Sequence, residues 1–473
     1  MLPSTTTTTT TTRRLLRGEI TYSAAKEIEA NVLHSLSYWD QQSSYFEVLR
    51  RKSQLLETVV AHHLKLVPTS CRIAEPSKWL SGTFVCIPIY ENVNLGNADE
   101  KLLCEIGTYT WLQHNCPGVP IPQLHEYGLS TGQNFTALEN LPFLTRSVEA
   151  VRRHILRFLG FPVPFKYVAH NSNSGNLLGV RYLLIDYIDV SRGRMLSASW
   201  NQGRHDPRLR MYLFRSLSDI MLVITRTPLP KIGSFIVDEK GCLRLRNRPL
   251  TLEIQDLENQ HVPVDIPRDF TYSTIDSYVS DILAFHESRL RHQLNAVNNV
   301  QDDLFQMAGL TVMRAVRNLF FRPGLRRGTF YMSLTDLHQS NIFVNDDWNI
   351  RYLVDLEWAC SPPAEMIHPP YRLTNQSVDA IDFDAYKSLH REFMQAFAEQ
   401  ISKRSWQHRN QIYSILQEGR NKGTYCIFQI TMDYLTLNAA RFIQEKVKDK
   451  EKYDRLLLEA FEQAPTDQMP MHE

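Results

Sequence analysis

The sequence predicts an α+β protein: a small front lobe of antiparallel strands with one key helix, followed by a larger, mostly helical lobe. Three features of the chain predict it. The front holds short β-prone runs, TFVCIPIY and IPQLHEYGL, on either side of a helical segment, NADEKLLCEIGTYTWLQHN. The back holds long stretches with apolar residues at helical spacing, in LRMYLFRSLSDIMLVITRTPLP, over 270–320 and over 378–463. One short hairpin pattern, NIFVNDDWNIRYLVDLEW, interrupts that helical back. At 473 residues the chain exceeds one core of ordinary size and should form two or three packed units. The expected division is a disordered Thr-rich tail over 1–20, an N-terminal lobe with a helical lead-in over 21–180, and a helical C-terminal lobe over 181–465.

Each element has its own warrant. Thr5 to Thr12 is low-complexity and has nothing to bury, which predicts disorder. Arg13, Arg14 and Arg17 follow with no acid before Glu19, a pattern that also loosely fits a mitochondrial transit peptide. Residues 24–64 carry two helical patterns, and His62 and His63 near their end read as surface or capping residues. Gly82 precedes TFVCIPIY as a loop feeding a strand. Leu102, Leu103, Ile106, Tyr109 and Leu112 line one face of the next helix, which Pro117 and Pro120 end. SVEAVRRHILRFLG is a basic helix, and its RRHILRF run reads as a solvated face. VRYLLIDYI is a continuous apolar run, the mark of a buried strand. Leu213, Phe214, Leu217, Ile220, Met221 and Ile224 form the stripe of a core helix. FIVDEKGCLRL is a hairpin turned at Glu239-Lys240-Gly241.

Composition narrows the function classes. Hydrophobic residues at 43% and charged residues at 22% describe a globular chain. A net charge of +1 gives no global field toward nucleic acid or an anionic membrane, so no nucleic-acid partner is expected. Seven scattered cysteines without a CxxC pair argue against a zinc site or a disulfide framework. No apolar run approaches the roughly 20 residues of a membrane-spanning helix, and the N-terminus shows no apolar signal core. The expected setting is reducing and intracellular, cytoplasmic or, from the Thr/Arg-rich N-terminus, mitochondrial.

The chemistry concentrates in SLTDLHQSNIFVNDDWNIRYLVDLEWA, from Ser333 to Ala359. Ile342–Val344 and Ile350–Val354 are apolar strands, and Asn345 to Asn349 is the turn between them. A tight hairpin brings its outer ends together, so Asn341 and Asp355 should lie close in space, with Asp336 on the loop just before. Two oxygen ligands suit a hard cation such as Mg²⁺, which takes a few protein oxygens plus substrate phosphate. A carboxylate five positions before Asn341 can accept the proton of an incoming hydroxyl, the division of labour of phosphoryl transfer. His338 would lie near the transferring phosphate. Taken singly, Asp336 reads equally well as a turn cap, and Asn345-Asp346-Asp347 as a solvated hairpin tip. The assembly of loop, strand, turn, strand and terminal aspartate is what carries the signal.

TDLHQSNIFV followed by YLVDLEWA resembles the aminoglycoside phosphotransferase-like family of the protein-kinase-like fold, with its His-Gly-Asp-Leu-His-x-x-Asn loop and Ile-Asp-Trp/Phe-Glu segment. GNADEKLLCEIGTYTWLQ, VPIPQLHEYGLSTGQ, PLPKIGSFIVDEKG and NRPLT extend the resemblance, to the large fungal branch, over about residues 50 to 440. The resemblance implies Asp336 as catalytic base, with Asn341 and Asp355 as Mg²⁺ ligands. It also implies Gly82 and Thr83 in a nucleotide-covering loop, Glu105 as the helix partner of an ATP-binding lysine, and Leu184 to Tyr187, with Asp186, as the adenine-receiving hinge.

Two departures stand out. Leu334-Thr335 replaces the family's first His-Gly, which braces the loop. Only ENVNLGNADEK separates Tyr90 from the helix, so the strand carrying the phosphate-gripping lysine or arginine is lacking. Lys101 precedes Glu105 by four residues and should pair with it along the helix; Lys78 is a remote second candidate. Loss of such a contact costs on the order of 10²–10³ in rate. Two function classes follow: an ATP- and Mg²⁺-dependent phosphotransferase acting on a hydroxyl of a small molecule, or a pseudokinase serving as a binding scaffold. His368 is a candidate for the acceptor pocket or for packing, Trp358 reads as a packing residue, and Asp186 and Asp189 would also suit a cationic acceptor.

Overall fold

The computed structural model describes residues 11–15, 18–28, 31–67, 71–73, 97–129, 131–170, 181–319, 321–367, 383–403, 409–422 and 437–462. It is an α+β chain with small antiparallel sheets.

Of the tail expected over 1–20, residues 11–15 and 18–20 are described and carry a strand pair, while Thr5 to Thr10 lie outside the described residues. β1 (Thr12–Arg14) pairs with β2 (Glu19–Thr21). Ile20 is buried against Tyr453, Leu457 and Phe461, Arg13 donates to the Ala460 carbonyl, and the Arg14 guanidinium lies 3.5 Å from the centre of the Trp39 ring. Those distant partners supply the burial that the tract itself lacks. Four helices follow: α1 (Tyr22–Glu27), α2 (Val32–Leu36), α3 (Tyr38–Arg51) and α4 (Ser53–Leu64).

α5 (Asn97–Asn115) is buried well beyond the single predicted face. Leu102, Ile106 and Tyr109 are buried, and so are Thr108, Thr110 and Trp111. The reason is that α5 also packs on the hairpin of β8 (Ser234–Val237) and β9 (Leu243–Asn247). Gly107 permits this approach, because a Cβ there would stand 2.1 Å from the Phe235 carbonyl oxygen.

The front sheet has the order β5-β4-β3-β6, antiparallel throughout: β3 (Leu124–Gly128), β4 (Asn134–Ala137), β5 (Tyr167–His170) and β6 (Tyr182–Ile185). α6 (Phe143–Phe158) bridges β4 and β5. Because β6 bonds to β3, the front sheet extends past the boundary expected at 180. β6 was expected to be buried. Among the described residues it is an edge strand, and Leu183, Leu184 and Ile185 are only half-buried.

Behind it come β7 (Arg194–Met195), α7 (Ser197–Gly203) and α8 (Pro207–Ile224), whose start is capped by Asp206. Leu213, Phe214, Leu217, Ile220 and Ile224 are buried along the predicted stripe, with Met221 packed beside them. α9 (Leu252–Asn259), α10 (Ile275–His292) and α11 (Val300–Val316) follow, capped by Thr251, Thr274 and Asn299. β10 (Ile342–Val344) and β11 (Ile350–Leu353) form the predicted hairpin; β7 adds a third strand to it, in the order β11-β10-β7. α12 (Phe383–Ser402), α13 (Arg409–Lys422) and α14 (Leu437–Glu462) complete the described chain. The main apolar core runs without a break from Leu102 on α5 to Leu416 on α13, so front and back share it. Cys71, Cys104, Cys116, Cys242 and Cys360 are free thiols.

Candidate functional site

The register of the β10–β11 hairpin positions the site. Ile342 stands opposite Leu353, and the Val354 N–H donates to the Asn341 carbonyl at 3.1 Å. Asn341 thus faces Val354, and Asp355 is the next residue along. Asn341 Nδ2 donates to the Asp336 carbonyl at 3.0 Å and to Asp336 Oδ2 at 3.3 Å. Asn341 Oδ1 accepts from Ser340 Oγ at 3.2 Å. Asp336 and Asn341 therefore meet by their side chains, and Asp355 follows the residue that pairs with Asn341 at the same end of the hairpin. Asp355 adopts a left-handed φ of 62°, a conformation that Asp tolerates better than most residues and that recurs at functional sites.

The loop is braced despite lacking the His-Gly pair. Thr335 Oγ1 donates to the Trp358 carbonyl at 2.7 Å, and Ser333 and Cys360 exchange backbone bonds of 2.8 and 3.2 Å. These tie the Asp336 loop to the segment that follows Asp355. His338 begins the 3-10 turn Gln339–Asn341, its Nδ1 lying 3.4 Å from the Ser340 N–H nitrogen and 3.2 Å from Ser340 Oγ. Its ring is a cap for the turn that presents Asn341.

α5 brings charge to the same place. Lys101 was expected to pair with Glu105 along the helix. Its ion pair instead crosses to Glu357, with Lys101 Nζ 2.9 Å from Glu357 Oε1 and 5.2 Å from the centre of the Trp358 ring. Glu105 also points at this segment and accepts from the Leu356 N–H. Burial, with the Glu357 charge beside it, pushes the Glu105 carboxyl up to about 8, while Lys101 and the Leu356 N–H pull the other way. Burial and then Glu357, by charge and by hydrogen bond, raise Asp355 well above the ordinary carboxylate range. Against its own burial, Glu357 is held low by the Lys101 ammonium and by hydrogen bonds with Asp355 and Lys101. Lys101 is thus the one cation of a group whose other members, Glu105, Asp355 and Glu357, are all acids.

α5 is fixed from its other side as well. Glu100 receives Arg248 from the NRPLT segment in a two-pronged contact, Nε to Oε1 at 2.9 Å and Nη2 to Oε2 at 2.8 Å. Arg248 is buried, with Glu258 as a second acidic partner.

The segment expected as the hinge, Leu184 to Tyr187, runs from the end of β6. Leu184 sits in β6 opposite Glu126. The Asp186 N–H donates to the Gln123 carbonyl at 3.0 Å, and its carboxylate accepts from His125 at 2.8 Å and lies 3.9 Å from Arg192. Arg192 in turn bonds the Tyr352 hydroxyl on β11. Asp186 is therefore a tie between the front sheet and the hairpin. Asp189 accepts from the Ser191 N–H as a turn cap. Gly82, Thr83, Lys78 and His368 lie outside the described residues.

Sequence reasoning misplaced His63. It lies on α4 and is buried against the front sheet, with Nδ1 2.8 Å from Thr136 Oγ1 and Nε2 against Glu126 Oε1. Its partners lie on β3 and β4, so no local pattern marks it. Lys101 was read as the helical partner of Glu105, and its pair with Glu357 was hidden for the same reason: that partner lies far along the chain.

Among the described residues no three His, Cys, Asp or Glu side chains converge as a metal cage. Asn341 and Asp355 are the two oxygen ligands expected from sequence, and two protein oxygens suit Mg²⁺ only together with phosphate oxygens. No family model, no curated protein and no solved structure matches the chain.

Proposed function

We propose that the chain is an ATP- and Mg²⁺-dependent phosphotransferase of the aminoglycoside-phosphotransferase-like type, with a protein-kinase-like fold, acting on a hydroxyl of a small molecule. The observation that carries this reading is the Asp336–Asn341 side-chain contact at the end of the β10–β11 hairpin, where Asp355 follows the residue paired with Asn341. Asp336 accepts the proton of the acceptor hydroxyl. Asn341 and Asp355 hold the cation, and His338 keeps the Asn341 turn in place. Mg²⁺, when bound, supplies neutralisation of phosphate charge. Lys101 takes the part of the lacking strand lysine, since its ammonium already stands among Glu105, Asp355 and Glu357. In a site of low dielectric such a cation stabilises phosphate charge far better than it does in water.

The test is thermal stability with ATP and Mg²⁺ in the wild type and in Asp355→Ala. A Mg²⁺-dependent rise in Tm that vanishes in the variant supports the reading; no rise at any ATP concentration refutes it. A second reading, a scaffold of the same fold without catalysis, is favoured by one observation: Lys101 is engaged by Glu357 and Asp186 by His125. It predicts the absence of any nucleotide response.

A further inference from the structure

We propose that α6 is a docking surface for an anionic lipid membrane. Its apolar residues Leu144, Val148, Val151, Ile155 and Phe158 are spaced by four, three, four and three and make one stripe, with Phe143 exposed beside its first turn. On an ordinary surface helix this stripe would face the core. Here it faces solvent: exposure of these six runs from 52% at Ile155 to 88% at Phe158, and no residue of α6 is buried. Leu159 and Phe161 extend the exposed patch beyond the helix end. The side that meets the protein is largely polar. Glu149, Arg153 and Leu156 are its half-buried members, and Arg153 donates to the Phe165 carbonyl. α6 therefore rests on its polar side and presents its apolar side outward.

The charges select the partner. Arg152 and His154 flank the stripe, and Arg146 and Arg157 are exposed on the polar side of the helix. The sole acid on the helix, Glu149, is turned inward and bonded by Arg152 at 3.0 Å. An apolar face with basic margins is what a helix lying in the plane of an anionic interface requires. A second copy of the chain fits less well, because pairing two such stripes would set arginines against arginines. No described helix is long and apolar enough to cross a membrane, so the contact is with a surface. This inference is independent of the phosphotransferase reading.

The experiment is co-sedimentation of the full chain with phosphatidylcholine vesicles, with and without phosphatidylserine, at low and high salt. Binding to the anionic vesicles only, weakened by salt, is expected. Val151→Asp with Ile155→Asp should abolish it. Arg146→Gln, Arg152→Gln and Arg157→Gln together should weaken it at least about tenfold. All these side chains are exposed, so an unchanged Tm in the variants confirms that folding is intact. Equal binding to neutral vesicles, or no binding to either, overturns the proposal. So does a lipid-free dimer that Val151→Asp with Ile155→Asp dissolves, which would assign the stripe to a second copy.

Discussion

Lys101 sets the charge of the site, and its replacement separates a nucleotide-facing role from a merely structural one. Removing one member of a buried ion pair costs about 3–5 kcal/mol, because the other is left uncompensated. Lys101→Met should therefore lower Tm. The double variant Lys101→Met with Glu357→Gln should recover most of that loss, since both charges are gone. If Lys101 faces phosphate, the double variant should still lack the ATP-dependent stabilisation; a retained response would reduce the lysine to a strut. Glu126 allows a pH test away from the site. Burial pushes its carboxyl from an ordinary 4.5 up to about 9, with the Tyr182 hydroxyl bond pulling back. The folded state then holds a proton that the unfolded state has released between those values. This contribution is complete below pH 4.5 and is lost as pH rises through 9. Tm should fall across that window by an amount that Glu126→Gln removes, as read by calorimetry at a series of pH values. Thr335 belongs to the same scale: Thr335→Val deletes the bond to Trp358 and should cost about 1 kcal/mol.

At the scale of elements, α5 and the β10–β11 hairpin are the two pieces that make the site, and they were legible to different degrees. The helix limits Asn97–Asn115 follow from its apolar spacing, and the hairpin from two apolar runs around Asn345–Asn349. From that hairpin the backbone proximity of Asn341 to the Val354–Asp355 step followed, because antiparallel pairing sets the two outer ends opposite each other. What stayed hidden in both elements was set by distant sequence. β7 joins β10 from far upstream, and the Glu100–Arg248 and Lys101–Glu357 pairs cross between segments. β6 read as buried because its residues are apolar, but burial depends on neighbours that its own sequence does not encode. α6 was legible as a helix, while the direction of its apolar face depended on what the rest of the chain left uncovered. Gly107 tests the α5 contact. A Cβ there meets the β8 backbone, which cannot yield as a side chain would, so Gly107→Ala should lower stability by about 1–3 kcal/mol or more in a denaturant titration.

At the scale of the molecule, the two parts predicted from length share one core. Apolar side chains of α5, the front sheet, the β8–β9 hairpin, α8 and α12 belong to a single cluster, and α5 is clamped to the back by Arg248 and Glu357. Unfolding followed at a front tryptophan, Trp111, and at a back one, Trp358, should therefore give coincident transitions. The arrangement has a functional reason: the acids and the lysine on α5 reach the site only if the helix is held against the hairpin. The most direct measurement of that site uses Mn²⁺ as a spin-visible stand-in for Mg²⁺, titrated in the presence of ATP. A Mn²⁺–ATP complex should bind the wild type, Asn341→Ala and Asp355→Ala should each weaken it by about tenfold or more, and Asp336→Asn should leave it nearly unchanged. Binding that ignores both ligand substitutions, or no binding by the wild type, would contradict the account.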